Sequence, residues 1–179
     1  LFYDPGSGGA EVQALLRFDS LFGPIPDQIP LTATITSAVI TLYATNLSTV
    51  PIGNISVYQM TSTWDETSTW NSMVGGVQTG SETEAVADDS HTIESIGFTS
   101  FDVLGSLQAW LGGDSNFGWV IVNDSTDGVE FVTSEYTTDT TRRPMLTVTF
   151  TPVPEPGSLQ LVGLAAVAAL CVRRLRRSR

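Results

Sequence analysis

The sequence predicts an all-β protein: an antiparallel two-sheet sandwich of jelly-roll type with one short helix, followed by a single transmembrane helix at the C-terminus. Three observations predict it. Serine and threonine together supply 41 of the 179 residues, and threonine favours strands. Short runs alternating apolar and polar side chains recur between turn residues, the period of half-buried strands. The last part of the chain differs from the rest, with a proline-rich joint, an apolar run and an arginine cluster in succession.

Taken in order, residues 2–4 are placed to pair with a strand over 12–19 across the turn-forming Pro5-Gly6-Ser7-Gly8-Gly9. Residues 37–45 alternate most clearly, with Ala38, Ile40, Leu42 and Ala44 on one face and Val39, Thr41 and Tyr43 on the other. Further strands are expected over 55–60, 97–102, 118–123, 129–134 and 145–151. Residues 103–111 read as the one helix of the body. Val103, Leu104, Leu107, Trp110 and Leu111 follow helical spacing, Asp102 is placed to cap the start, and Gly112-Gly113 stops it. About seven short strands and one helix make a sandwich.

Charge divides the chain in two. Residues 1–155 hold all 19 acidic residues and only Arg17, Arg142 and Arg143, a balance of −16; residues 156–179 hold five arginines and no acid, a balance of +5. There is no lysine. An acidic body repels phosphate backbones, which argues against nucleic-acid binding. The single cysteine, Cys171, lies in the apolar tail, so the body forms no disulfide. One histidine, His91, supports neither a zinc cluster nor, without a Gly-x-Ser-x-Gly elbow, a catalytic triad. It reads as a loop or strand-edge residue, and the protein as a non-enzyme.

The tail carries the clearest signal. Pro154-Glu155-Pro156 breaks regular structure and stiffens the joint. Residues 156–172 are nearly all apolar and rich in Ala and Leu, about 26 Å long as a helix, the short end of what spans a bilayer. Arg173, Arg174, Arg176, Arg177 and Arg179 follow, and the positive-inside rule sets them on the cytoplasmic side with the acidic body outside. The expected division is a body over 1–151, a linker over 152–158, a membrane helix over 159–172 and a basic tail over 173–179. These three parts in this order resemble the PEP-CTERM protein-sorting signal of Gram-negative bacteria. The resemblance implies recognition by an exosortase, cleavage near Pro154-Glu155-Pro156, passage through a membrane-held precursor, and delivery to the cell surface or an exopolysaccharide matrix. The opening Leu1-Phe2-Tyr3-Asp4-Pro5 shows no export signal, so the chain reads as a fragment or as trimmed at its start.

The body has its own pattern. Leu15-Leu16-Arg17-Phe18-Asp19 is followed by residues 33–42, by Trp64-Asp65-Glu66-Thr67-Ser68-Thr69-Trp70-Asn71, by Phe101-Asp102-Val103 with Gln108-Ala109-Trp110, by Gly118-Trp119-Val120, by Ser134-Glu135, and by Arg143-Pro144-Met145-Leu146-Thr147-Val148. As an ordered series these resemble the DNRLRE-type domain, an extracellular β module related to disaggregatase-associated and carbohydrate-binding jelly rolls. The resemblance implies an N-terminally truncated copy of that domain and makes a glycan the expected ligand class.

Candidate contacts follow from side-chain chemistry. The apolar C–H faces of sugars stack on aromatic rings. Trp64 and Trp70 flank a polar stretch and are the candidates for that contact, with packing of their loop as the other reading. Trp110 and Trp119 sit among apolar neighbours and read as core. Asp114, Asp124 and Asp127, in Asx-rich loops, offer oxygen ligands to calcium, although neither loop has EF-hand spacing and ordinary turns use the same residues. No other cofactor is expected. Arg17, Arg142 and Arg143 are the only body cations that a uronate carboxylate could meet. The leading expectation is an exported, non-catalytic structural or adhesion module of the cell surface or matrix, with glycans as its candidate ligands. The alternatives are a carbohydrate-binding module of a larger polysaccharide-active enzyme, and a structural surface protein with no ligand.

Overall fold

The computed structural model describes residues 13–47, 54–73, 75–123 and 128–152. The strand expected over 2–4, Asp124, Asp127, and the whole of the sorting segment, apolar run and arginine cluster lie outside the described residues. Within them, eight strands form two antiparallel sheets, β1 (Ala14–Leu16), β2 (Thr34–Leu47), β3 (Asn54–Gln59), β4 (Asp89–Thr92), β5 (Gly97–Asp102), β6 (Trp119–Asn123), β7 (Val129–Phe131) and β8 (Met145–Thr151), with helix α1 (Leu104–Leu111) after β5. The first sheet runs β1-β6-β3-β4. In the second, β2 is central: β5 pairs with it over Val39–Ala44, and on its other side β8 takes the first half and β7 the last. The chain crosses repeatedly between the two sheets, as in a jelly roll.

The core follows from the alternation of β2. Ala38, Ile40, Leu42 and Ala44 are at most 2% exposed and share a core with Ile55 and Val57 of β3 and Trp119 and Ile121 of β6 in the other sheet, and with Phe101 of β5, the neighbour of Ile40 in its own sheet. Each large apolar side chain buried this way contributes about 1.5–3 kcal/mol. Helix α1 packs its Leu107 and Trp110 into the same core, and Trp110 lies 4.6 Å from the Trp119 ring centre. The backbone N–H of Val103 donates to Ala38 O at 2.9 Å, tying the helix start to β2. Asp102 caps from just outside the first turn: its Oδ1 accepts the Leu104 N–H at 2.9 Å.

Differences from the expected elements have local causes. β1 ends at Leu16, short of residue 19, because Arg17 bonds Asp19 at 2.8 Å and the Phe18 carbonyl accepts from the side chain of Asn116. β7 stops at Phe131 rather than 134. β4 was not expected, since Asp89-Ser90-His91-Thr92 carries no apolar alternation. It is an edge strand with a polar outer face, where Ser90 Oγ meets Ser56 Oγ at 2.8 Å. His91 faces the other way, stacked on Phe101 with ring centres 4.4 Å apart and bonded through Nε2 to Thr99 at 2.8 Å.

Candidate functional site

The long connection between β3 and β4 carries both tryptophans that the sequence nominates for sugar contact. It folds over one end of the outer face of the first sheet, where Met60, Val77 and Val120 form a small second core with Trp64, Met73 and Phe117 packed against it. Gln13 fastens the connection from below. Its Nε2 donates to Val77 O at 3.0 Å and its Oε1 accepts the Val77 N–H at 2.7 Å. Trp64 is half-buried. Its indole N–H donates to Phe117 O at 2.6 Å, and the Arg17 guanidinium lies over its ring, 5.2 Å from the centre. Polar edge and one ring face are therefore both occupied from within the molecule.

Trp70 sits differently. It is 36% exposed, and its carbonyl accepts the N–H groups of Gly75 and Gly76 at 2.9 and 3.0 Å, which curls the chain back under the ring. The ring rests on Gly76, whose φ of +85° and missing β-carbon both matter: a β-carbon there would meet Trp70 Cζ3 at 2.5 Å. Between the tryptophans, Asp65 Oδ1 accepts from the N–H and hydroxyl of Thr67 at 2.8 and 2.6 Å. Those bonds hold its carboxyl below the usual carboxylate range.

Behind this connection lies a buried polar network. Asp88 Oδ2 accepts from Ser106 Oγ of α1 and, at 3.1 Å, from the indole N–H of Trp119; that N–H also reaches Ser106 Oγ at 3.0 Å. Burial pushes the Asp88 carboxyl above its usual range, opposed by the bonds from Ser106 and Trp119 and assisted by the charge of Asp102.

Residues 4–150, most of the chain, match the family model of carbohydrate-binding module family 96. The chain belongs to that family. A carbohydrate-binding module is a non-catalytic domain, and this one is followed directly by a match to the PEP-CTERM protein-sorting motif over residues 152–177. A comparison with curated proteins finds no match. The family 96 match falls on the carbohydrate-binding side of the resemblance drawn from the body motifs.

The remaining candidates are placed as follows. Trp110 and Trp119 of the family 96 body are core residues, 4% and 0% exposed. Asp114 is exposed at the end of α1, and among the described residues no group of three or more His, Cys, Asp or Glu side chains is placed to hold a metal ion. Arg142 pairs with Asp139 at 2.9 Å and lies over Tyr43, 4.5 Å from the ring centre. Arg143 donates to Tyr136 O at 2.7 Å. Each body arginine is thus engaged within the molecule. One aromatic surface escaped the sequence reading: Phe98, 61% exposed, meets Tyr43 edge-on at 4.9 Å on the outer face of the second sheet. The alternation of β2 and β5 puts both rings outward, but the β2–β5 register that joins them is not written in either strand alone. Among the described residues no helix is long and apolar enough to cross a membrane, and the apolar run near the C-terminus lies outside them.

Proposed function

We propose that this family 96 module is an exported, non-catalytic glycan-binding protein delivered to the cell surface or surrounding matrix by its C-terminal signal. The observation that carries the reading is the direct succession of a binding-module match over residues 4–150 and a sorting-motif match over 152–177. The precursor is held by the apolar run over 159–172, with Arg173, Arg174, Arg176, Arg177 and Arg179 cytoplasmic and the acidic body outside. An exosortase-type enzyme recognises Pro154-Glu155-Pro156 and releases or transfers the body. Trp70 is the favoured stacking residue, because its ring is partly exposed and braced by Gly76; Trp64 supports the same connection. The ligand is an uncharged exopolysaccharide, since a body of −16 with every arginine engaged has little to offer a polyanion. Binding needs no cofactor, and calcium would act through Asp114, Asp124 and Asp127 only. Deleting residues 153–179 tests the delivery: the body then fails to reach the surface, and unchanged surface display would refute the sorting role.

A further inference from the structure

Strand register builds an aromatic patch on the outer face of the second sheet. Pairing of β5 with β2 sets Phe98 opposite Tyr43 and Ser100 opposite Thr41, and pairing of β8 with β2 sets Met145 beside Thr41. Paired residues share a face, as do residues two apart in one strand, so these side chains stand together. Phe98 is 61% exposed and meets Tyr43 edge-on, with ring centres 4.9 Å apart. The Arg142 guanidinium covers Tyr43, 4.5 Å from its ring centre. Asp139 holds that arginine through Nε at 2.9 Å, and is itself tied by bonds from the N–H and hydroxyl of Thr141 at 3.1 and 2.6 Å. In the adjoining row the Thr41 and Ser100 hydroxyls lie 3.1 Å apart. Tyr43 is thus packed and braced, whereas Phe98 keeps most of a large apolar ring in water and forgoes the stabilisation that burial would give.

The surroundings select the occupant. An exposed apolar patch rimmed by polar groups marks a contact surface. A second copy of the chain would need about 800 Å² per partner around an apolar centre. Here the row beyond Thr41 is Asp102, Val39 and Thr147, with Asp102 and Thr147 exposed, so the apolar content is little more than the two rings and Met145. Two bodies of −16 also repel each other. A polyanion is no better served, because Asp139 neutralises Arg142 and Asp102 stands on the same face. A sugar suits every part of the patch. Its C–H face stacks on an aromatic ring, and its hydroxyls can accept from the Arg142 Nη groups and exchange hydrogen bonds with the Thr41 and Ser100 hydroxyls. We propose that Phe98, Tyr43 and Arg142 form a stacking platform for a neutral glycan on the second sheet. The inference rests on the glycan-binding reading above and gives the module a second contact surface, across the sandwich from Trp70.

The test is titration calorimetry of the full chain with neutral gluco-, manno- and xylo-oligosaccharides of two to six units. Oligouronates serve as the charge control, and sedimentation velocity reports the oligomeric state. The variants are Phe98→Ala, Phe98→Tyr, Arg142→Gln and Trp70→Ala. The expected result is binding of a neutral series at two sites, of which Phe98→Ala and Arg142→Gln weaken one, the former about tenfold or more, and Trp70→Ala the other. Phe98→Tyr keeps both sites, which separates loss of the ring from loss of the fold. Affinity and stoichiometry unchanged in Phe98→Ala, with loss in Trp70→Ala, overturn the platform and leave the glycan reading standing. A dimer of the unmodified chain that Phe98→Ala dissociates also overturns the platform, in favour of a contact between copies. Absence of binding to every probe by the unmodified chain overturns both.

Discussion

Replacing Ser106 by alanine isolates the network that joins α1 to the sheet beneath it. The hydroxyl is fully buried, donates to Asp88 Oδ2 and accepts the Trp119 indole N–H at 3.0 Å. A hydrogen bond to a charged group contributes about 1.5–3 kcal/mol. Two effects reduce the loss. Alanine is the better helix former by roughly 0.5 kcal/mol, and Trp119 keeps its direct bond to Asp88 at 3.1 Å. The net expectation is a destabilisation of about 1.5 kcal/mol, read as a lower urea midpoint with an unchanged slope. In a body of this size that corresponds to a fall in Tm of about 5 °C. The same substitution made beside Asp88→Asn should cost only about 0.5 kcal/mol, because the bond lost is then neutral, and the coupling of about 1 kcal/mol is the signature of the contact. A cost for Ser106→Ala that is equal in both backgrounds would refute the assignment of the stabilisation to the Ser106–Asp88 bond.

Other outcomes follow from the same packing. Since burial raises the folded Asp88 carboxyl above its unfolded value, the folded state holds the extra proton between the two values. Stability from this group is therefore present at low pH and lost as pH rises through the folded value. Asp88→Asn should gain stability relative to the unmodified chain as pH rises from about 3 to 7, measured by Tm at each pH; a difference constant with pH contradicts the assignment. Gly118 has φ +76°, and a β-carbon there would press on the backbone of Leu16 and Arg17, so Gly118→Ala should destabilise by more than about 2 kcal/mol in urea unfolding. Trp70→Ala should weaken glycan affinity about tenfold or more while moving Tm little. Trp64→Ala should lower Tm by several degrees, because it removes both the bond to Phe117 and the seat of Arg17; the reverse pattern in calorimetry and melting would exchange their roles.

Much of the fold was legible in the sequence because one sheet face is apolar and the other is not. The strict alternation of Ala38, Ile40, Leu42 and Ala44 marks β2, and the i, i+3, i+4, i+7 spacing from Val103 marks α1; both are where the sequence placed them. β4 was invisible because an edge strand of Asp, Ser, His and Thr carries no hydrophobic period, and its inward contact is a histidine on Phe101. The site was harder to read than the fold. Trp64 and Trp70 are six residues apart in one polar stretch, and composition gives no reason to separate them. The difference arises from distant partners, Phe117 and Arg17 for one and the backbone turn at Gly76 for the other.

The measurement that bears most directly on the account is the affinity of the full chain for neutral polysaccharides beside polyuronates of matched length, at constant ionic strength and with and without a calcium chelator. The account predicts measurable binding to a neutral polysaccharide, none to the polyuronates, and no change on chelation. Binding confined to polyuronates, or dependent on calcium, would contradict it.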